Sequence, residues 1–261
     1  MNAFAGAAEP LSREVFKEVV DDLRVGVPEL LAVLAVESRN CGFLPDRRPI
    51  ILFERHVFHK RTQGRFSSQH PDISNQEPGG YAGLAKEYVR LEKAAALDRR
   101  AALESASWGA GQIMGFNHIV AGFATVEAMV TAMQQSEDAH LGSVAGFIKA
   151  KNLVPALQSK DWPVFAKGYN GLAYAKNQYD KRLLGAHAQF AVGVLPDIQV
   201  RRAQMYLTYL GFAPGAVDGI YGKRSRSSVT QFKQVRGLPL DDEVDDATLQ
   251  RLQDDVRAML A

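Results

Sequence analysis

The chain has 261 residues, of which 46% are hydrophobic and 23% charged, and it carries a formal net charge of +2. That length is comfortable for two domains, and the composition is that of an ordinary soluble globular protein, able to build real cores. The slight positive charge suits an anionic polymer such as a bacterial wall but lacks the concentrated basic run on which DNA-binding proteins rely.

Residues Met1 to Pro10 contain no Lys or Arg and no apolar run of signal-peptide length, so the reading here is a protein without a signal peptide, folded in a cytoplasm. No stretch of about 18 consecutive apolar residues marks a membrane span, and no membrane insertion is expected. The first helix is expected over 11–25. Its stripe is Val15, Phe16, Val19, Val20 and Leu23, Ser12 is its cap, and Gly26 is its stop. A second helix starts at Val27-Pro28 and is apolar on every side from Leu30 to Val36, the mark of a buried helix. It ends abruptly in Glu37-Ser38-Arg39-Asn40.

The single cysteine, Cys41, excludes an intrachain disulfide. Ile50 to Phe53 is a short strand candidate, and 63–80, rich in Gly, Ser, Pro and Asn, reads as a loop. Helical patterns follow over 81–91, 98–105, 119–122, 125–150 and 174–192. Periodicity breaks at Gly193 to Pro196. The expected organisation is a domain over 1–193, a linker at 194–197 and a second domain over 198–261, with helices over 198–210, 223–236 and 246–260. The fold class expected is mainly α: an α+β domain with a small β element, followed by a three-helix bundle.

Glu37 draws attention because breaking a sugar–sugar bond needs a carboxylic acid that keeps its proton near neutral pH. A glutamate at the end of a buried helix meets that need through desolvation, and the negative end of the helix acts in the same direction. A plain solvated helix end is the alternative. Two further segments weigh against that: Ala106-Ser107-Trp108-Gly109-Ala110-Gly111-Gln112-Ile113-Met114-Gly115 and Gly168-Tyr169-Asn170-Gly171. In both, glycines let a ligand approach the backbone, and Gln112, Tyr169 and Asn170 offer fixed polar contacts for a sugar.

Glu37-Ser38 after an apolar helix, then Gly-x-x-Gln-Ile-Met, then Tyr-Asn-Gly resembles the signature of the goose-type lysozyme and lytic transglycosylase superfamily. With Ala35-Val36-Glu37-Ser38, Ile51-Leu52-Phe53-Glu54-Arg55-His56 and 106–115 in that order, the chain is more similar to the N-acetylmuramidases of bacteriophage endolysins. The resemblance implies a lysozyme-like fold with Glu37 as general acid and with Ser38, Gln112, Tyr169 and Asn170 contacting substrate. By the same analogy Glu54 is the second acid, which directs water, although a salt bridge to Arg55 or another base, or a buried hydrogen-bond role, is its structural alternative. The sequence departs from the transglycosylases at Ala110-Gly111, where they more often carry Leu-Met. Glu104 is expected to be structural, holding the glycine-rich loop. His56 and His59 lack the further ligands a zinc site needs, so neither metal nor cofactor is expected.

The series Gln204, Leu207, Leu210-Gly211-Phe212, Val217-Asp218-Gly219-Ile220-Tyr221-Gly222, Val229, Phe232 and Gly237-Leu238 resembles the peptidoglycan-binding domain of wall hydrolases. Arg224 and Arg226 are its candidate wall contacts. A helix-turn-helix is set aside: residues 196–261 hold nine Lys+Arg and nine Asp+Glu, leaving no excess charge for phosphates, so no nucleic acid is expected.

The function implied is hydrolysis of the β-1,4 bond between N-acetylmuramic acid and N-acetylglucosamine in peptidoglycan. The protein would be a monomeric endolysin held in the host bacterial cytoplasm until a separate export factor such as a holin releases it to the wall. The alternatives are a lytic transglycosylase, which forms 1,6-anhydro products, and a non-enzymatic wall-binding protein.

Overall fold

The computed structural model describes residues 4–38 and 41–259. Helix α1 (Arg13–Leu23) opens where the Ser12 hydroxyl accepts the Val15 N–H. It closes before the expected Gly26, because Arg24 itself adopts the left-handed backbone (φ 51°) that ends the helix. Helix α2 (Val27–Ser38) buries Leu30, Leu31, Ala32, Val33 and Val36.

Three short strands form an antiparallel sheet in the order β1 (Ile51–Phe53), β2 (Ala106–Trp108), β3 (Ile113–Met114). Ile51 stands opposite Trp108, and Trp108 opposite Ile113. Only the first strand is visible in the residue pattern. The other two are too short to show alternation, and the chain folds between them through the left-handed residues Gly109 (φ 67°) and Gln112 (φ 47°). Helices α3 (Arg55–Arg61), α4 (Glu87–Leu97) and α5 (Arg99–Glu104) belong to this side of the molecule. Phe53, Phe58, Tyr88, Leu91, Leu103 and Trp108 form its core.

The helix expected over 125–150 is two helices, α6 (Val126–Gln135) and α7 (Glu137–Ala150). Ser136 breaks them with an extended backbone because the N-terminal segment pairs there: Glu9 N donates to Gln135 O at 2.8 Å and Glu137 N to Glu9 O at 2.9 Å. Ser136 then caps α7 through the Ala139 N–H. The region left unassigned by sequence holds α8 (Val154–Gln158) and α9 (Trp162–Asn170), each with a proline in its first turn. Tyr169 and Asn170 therefore end a helix rather than precede one. Helix α10 (Tyr179–Val192) follows and packs on α2. Leu23, Leu30, Val33, Val144, Ile148, Phe165 and Leu183 make the core of this helical side, and Tyr169 packs against both cores.

Segment 194–197 contains no helix or strand and leads into a second unit of three helices: α11 (Ile198–Tyr209), α12 (Lys223–Arg236) and α13 (Asp246–Ala258). Gln204 ties this unit together. Its amide nitrogen donates to Ser225 Oγ (2.9 Å) and Ile220 O (3.1 Å), and its oxygen accepts the N–H groups of Asp218 and Gly219. Tyr206, Leu207, Val229, Phe232 and Leu252 fill the core, joined by Ala8 and Phe43 from the first unit. No helix among the described residues is long and apolar enough to cross a membrane.

Candidate active site

Glu37 stands on the last turn of α2, a helix held in place by the buried residues below it and by α10. Burial of its carboxyl group pushes its pKa from 4.5 up to about 7. The Asn170 amide, donating to Glu37 Oε1 at 3.0 Å, and the nearby Arg182 guanidinium both oppose that rise without cancelling it. Arg182 also donates to Val36 O at 2.8 Å, satisfying a carbonyl at the end of α2. Asn170 Oδ1 is buried and has no hydrogen-bond partner among the described residues. An unpartnered acceptor beside a protonated carboxyl group gives a hydroxyl-bearing ligand a place to donate.

Tyr169, one residue before Asn170, has its ring stacked on Phe165 and edge-on to Phe147, with centroids 5.6 and 5.2 Å away. Its hydroxyl donates to Gly111 O at 2.9 Å. Nearness to Glu37 adds to the effect of burial, and its pKa is raised. The glycine-rich turn thus reaches the acid through Tyr169. Gly111 has no room for a side chain: a Cβ there would lie 2.2 Å from Val144 Cγ2. The packing of Val144 thus holds position 111 to glycine.

Gln112 faces inward. Its Nε2 donates to Ile50 O (3.2 Å) and Gly109 O (2.8 Å), and its Oε1 accepts the Ser107 hydroxyl at 2.8 Å. Both amide hydrogens are thereby used in holding the turn to the sheet, leaving Oε1 as its one route to a ligand. The side chain of Ser38, expected to contact substrate, lies outside the described residues.

Glu54 occupies the N-cap position of α3, at the end of β1, and makes no capping bond with its side chain. Its carboxylate instead accepts the Tyr81 hydroxyl at 3.1 and 3.0 Å. His56 Nδ1 lies 3.1 Å from Glu54 Oε2, near enough for an ion pair if the ring is protonated but not aligned as a hydrogen bond. Burial and the Glu54 charge push the Tyr81 pKa up to about 12. The loop that carries Tyr81 is pinned by Arg55, which donates to Glu77 O and Pro78 O, and by the buried Glu87–Arg90 pair. Arg55 is thus engaged with backbone carbonyls, not with Glu54. A pocket of about 470 Å³ lined by His56, Val57, Lys60, Arg61 and Phe116 opens on this side.

Glu37, Tyr169 and Asn170 form one cluster, and Glu54, Tyr81 and His56 form a second; among the described residues no hydrogen bond joins the two. Sequence reasoning missed Tyr81 and Arg182. Tyr81 follows Gly79-Gly80, the same glycine-plus-polar pattern that singled out 109–112. Glu104 receives Arg61 and Arg100 through its carboxylate, and its backbone packs against Gly115 at the end of the glycine-rich segment. His59 bonds to Ser67 Oγ at 2.7 Å, so the two histidines of α3 turn to different partners.

In the second unit, Arg226 pairs with Asp242 at 3.0 Å and lies over the Tyr221 ring. Arg224 borders a pocket of about 280 Å³ together with Lys223, Gly215, Asp218 and Ile220.

The N-acetylmuramidase family matches residues 26–191, and the peptidoglycan binding domain family matches residues 197–252. The crystal structure of Burkholderia AP3 phage endolysin is similar at 41% sequence identity, with a TM-score of 0.64, over 70% of this chain and 71% of that one. Comparison with curated proteins gives no match. The chain belongs to the N-acetylmuramidase family and is a peptidoglycan muramidase with a peptidoglycan-binding domain at its C-terminal end.

Proposed function

We propose that this muramidase acts as an endolysin: a monomer that stays in the host cytoplasm until a holin-type factor admits it to the wall. There it hydrolyses the N-acetylmuramic acid to N-acetylglucosamine bond. Residues 1–193 would carry the catalysis and residues 198–261 the attachment, with Arg224 and Arg226 offering cations to wall carboxylates.

Glu37 is the general acid. With Oε1 engaged by the Asn170 amide, its proton sits on Oε2 and passes to the oxygen of the leaving sugar as the glycosidic bond breaks. The new anion stays next to Asn170 and Arg182, which stabilise charge at that point. Glu54, oriented by Tyr81 and His56, takes a proton from the water that attacks the anomeric carbon. Tyr169 and Asn170 line the sugar site, with Ser38, and Gln112 contributes at most its oxygen. The observation that carries this reading is the placement of the Glu37 carboxyl group at the end of α2, with the Asn170 amide 3.0 Å from its Oε1 and desolvation raising its pKa to about 7.

The products distinguish hydrolysis from transglycosylation. Hydrolysis leaves reducing muramic acid ends, whereas transfer to the 6-hydroxyl leaves 1,6-anhydro ends lighter by one water, about 18 mass units. Mass spectrometry of borohydride-treated fragments should show reduced ends with the native protein and no release with Glu37→Gln. Anhydro ends as the main product would remove Glu54 from its role, and wall release by Glu37→Gln would remove Glu37 from its own.

A further inference from the structure

Two buried charges play no part in the chemistry above. Glu137, at the start of α7, is 2% exposed, and Arg201, on α11 of the wall-binding unit, is 8% exposed. Arg201 Nη2 donates to Glu137 Oε1 at 2.6 Å, and Nη1 to Oε2. The free space around them is only about 30 Å³, room for a water or two, so bulk solvent does not screen the pair. An apolar pair would join the two units without desolvating charge, so stability alone does not account for the pair.

The carboxylate has a second task. Glu137 Oε1 also accepts the Gly42 N–H at 2.8 Å, and Oε2 accepts the Leu11 N–H at 3.0 Å. Gly42 lies in the stretch that leaves the helix bearing Glu37. Directly beneath it is His140, so close that a Cβ on Gly42 would stand 2.3 Å from His140 Nδ1. Burial pushes the His140 pKa down to about 4, leaving the ring neutral. Its Nε2 donates to Met133 O at 2.7 Å, which frees Nδ1 to accept the Ala110 N–H at 3.2 Å. Ala110 adjoins Gly111, the acceptor of the Tyr169 hydroxyl. Gly42 and the turn that holds Tyr169 are therefore anchored side by side, and one charge of that anchor comes from the other unit.

We infer that Arg201 is a positioning residue for catalysis. By compensating Glu137 in the interior it keeps that carboxylate in place as the acceptor for Gly42, and so holds Gly42 against His140 and the Ala110–Gly111 turn on which Tyr169 rests. The wall-binding unit completes the catalytic unit as well as attaching it. The inference rests on Glu37 being the acid.

Full-length Arg201→Met, Arg201→Lys, Tyr206→Phe and Glu37→Gln would be compared on soluble, peptide-free glycan fragments. Amide exchange at Gly42 would be followed in parallel. Arg201→Met should lower kcat about tenfold or more while KM stays within about twofold, the pattern of a disturbed reacting geometry rather than lost binding. Arg201→Lys, which keeps the charge but cannot bridge both oxygens, should recover part of kcat. Tyr206→Phe loosens the same interface away from Gly42 and should match the native enzyme. Gly42 exchange should quicken about tenfold in Arg201→Met and less in Arg201→Lys. If Arg201→Met does not fold, Arg201→Lys bears both readouts. Native kcat in the folded Arg201 variants, or unchanged Gly42 exchange, would overturn the inference. An active Glu37→Gln would instead overturn the acid assignment, and the exchange data would still decide the Gly42 anchor.

Discussion

Glu37 gives the native state a proton that the unfolded chain does not keep. Its carboxyl titrates near 7 in the fold against 4.5 ordinarily, so the stabilisation is complete below pH 4.5 and is lost as pH rises through 7. The difference is worth about 3 kcal/mol. Glutamine resembles the protonated form at every pH. Glu37→Gln should accordingly change the melting temperature little at about pH 4 yet stabilise the protein by about 2 to 3 kcal/mol near pH 8, while lysis is lost. Equal melting of the two proteins at the higher pH would mean that the carboxyl group is not desolvated. Asn170 acts the other way, since its amide favours the ionised acid. Asn170→Ala should lower kcat about tenfold through lost orientation and move the alkaline limb of the pH–kcat curve upward. A downward shift would contradict the role given to the 3.0 Å contact. Glu37 was legible in the sequence as a candidate acid because an apolar helix ending in Glu is a local pattern. Arg182 was not, because it reaches Val36 across 146 residues.

At the scale of elements, the site depends on how closely α7 and α9 approach the turn between β2 and β3. Gly111 lies against Val144 of α7 and beneath Tyr169 of α9, so a methyl group there has no space. Gly111→Ala should destabilise the protein by about 1 to 3 kcal/mol and reduce activity by displacing Tyr169. Val144→Ala added to it should restore much of both, since it removes the atom that a Cβ would strike. Failure of the double variant to recover would place the strain elsewhere. Helices with their own caps and stripes were readable, as Ser12 and the residues of α1 illustrate. The division of 125–150 was not, because the residue pattern is continuous and the break at Ser136 is imposed by Glu9 from the far N-terminal segment. Strands β2 and β3 were hidden for a related reason. Their pairing depends on a turn that Gln112 stabilises by bonding to Ile50 O and Gly109 O, and the distant Ile50 contact leaves no local trace.

Over the whole molecule, the sequence suggests two domains joined by a linker, and the second unit is seated on the first. Tyr209 donates to Ala8 O at 3.1 Å, Tyr206 to Glu9 Oε2 at 2.6 Å, and Gln253 and Arg257 also reach Glu9. Phe43 and Ala8 contribute to the core of the three-helix unit, and the Glu137–Arg201 pair closes the interface. A three-helix unit of this size has limited stability on its own, because so small a domain buries a modest share of its surface. Opening the interface while both units stay folded would also return Ala8, Phe43 and the apolar residues packed on them to water. The two units should therefore unfold together. Calorimetry of the full chain should give one transition whose calorimetric and van't Hoff enthalpies agree. In Arg201→Met the charge that couples the units is missing, so the transition should broaden or split, with the wall-binding unit melting first. Two separate transitions in the native chain would show that the contacts along Ala8, Glu9 and Phe43 are too weak to make the units cooperative.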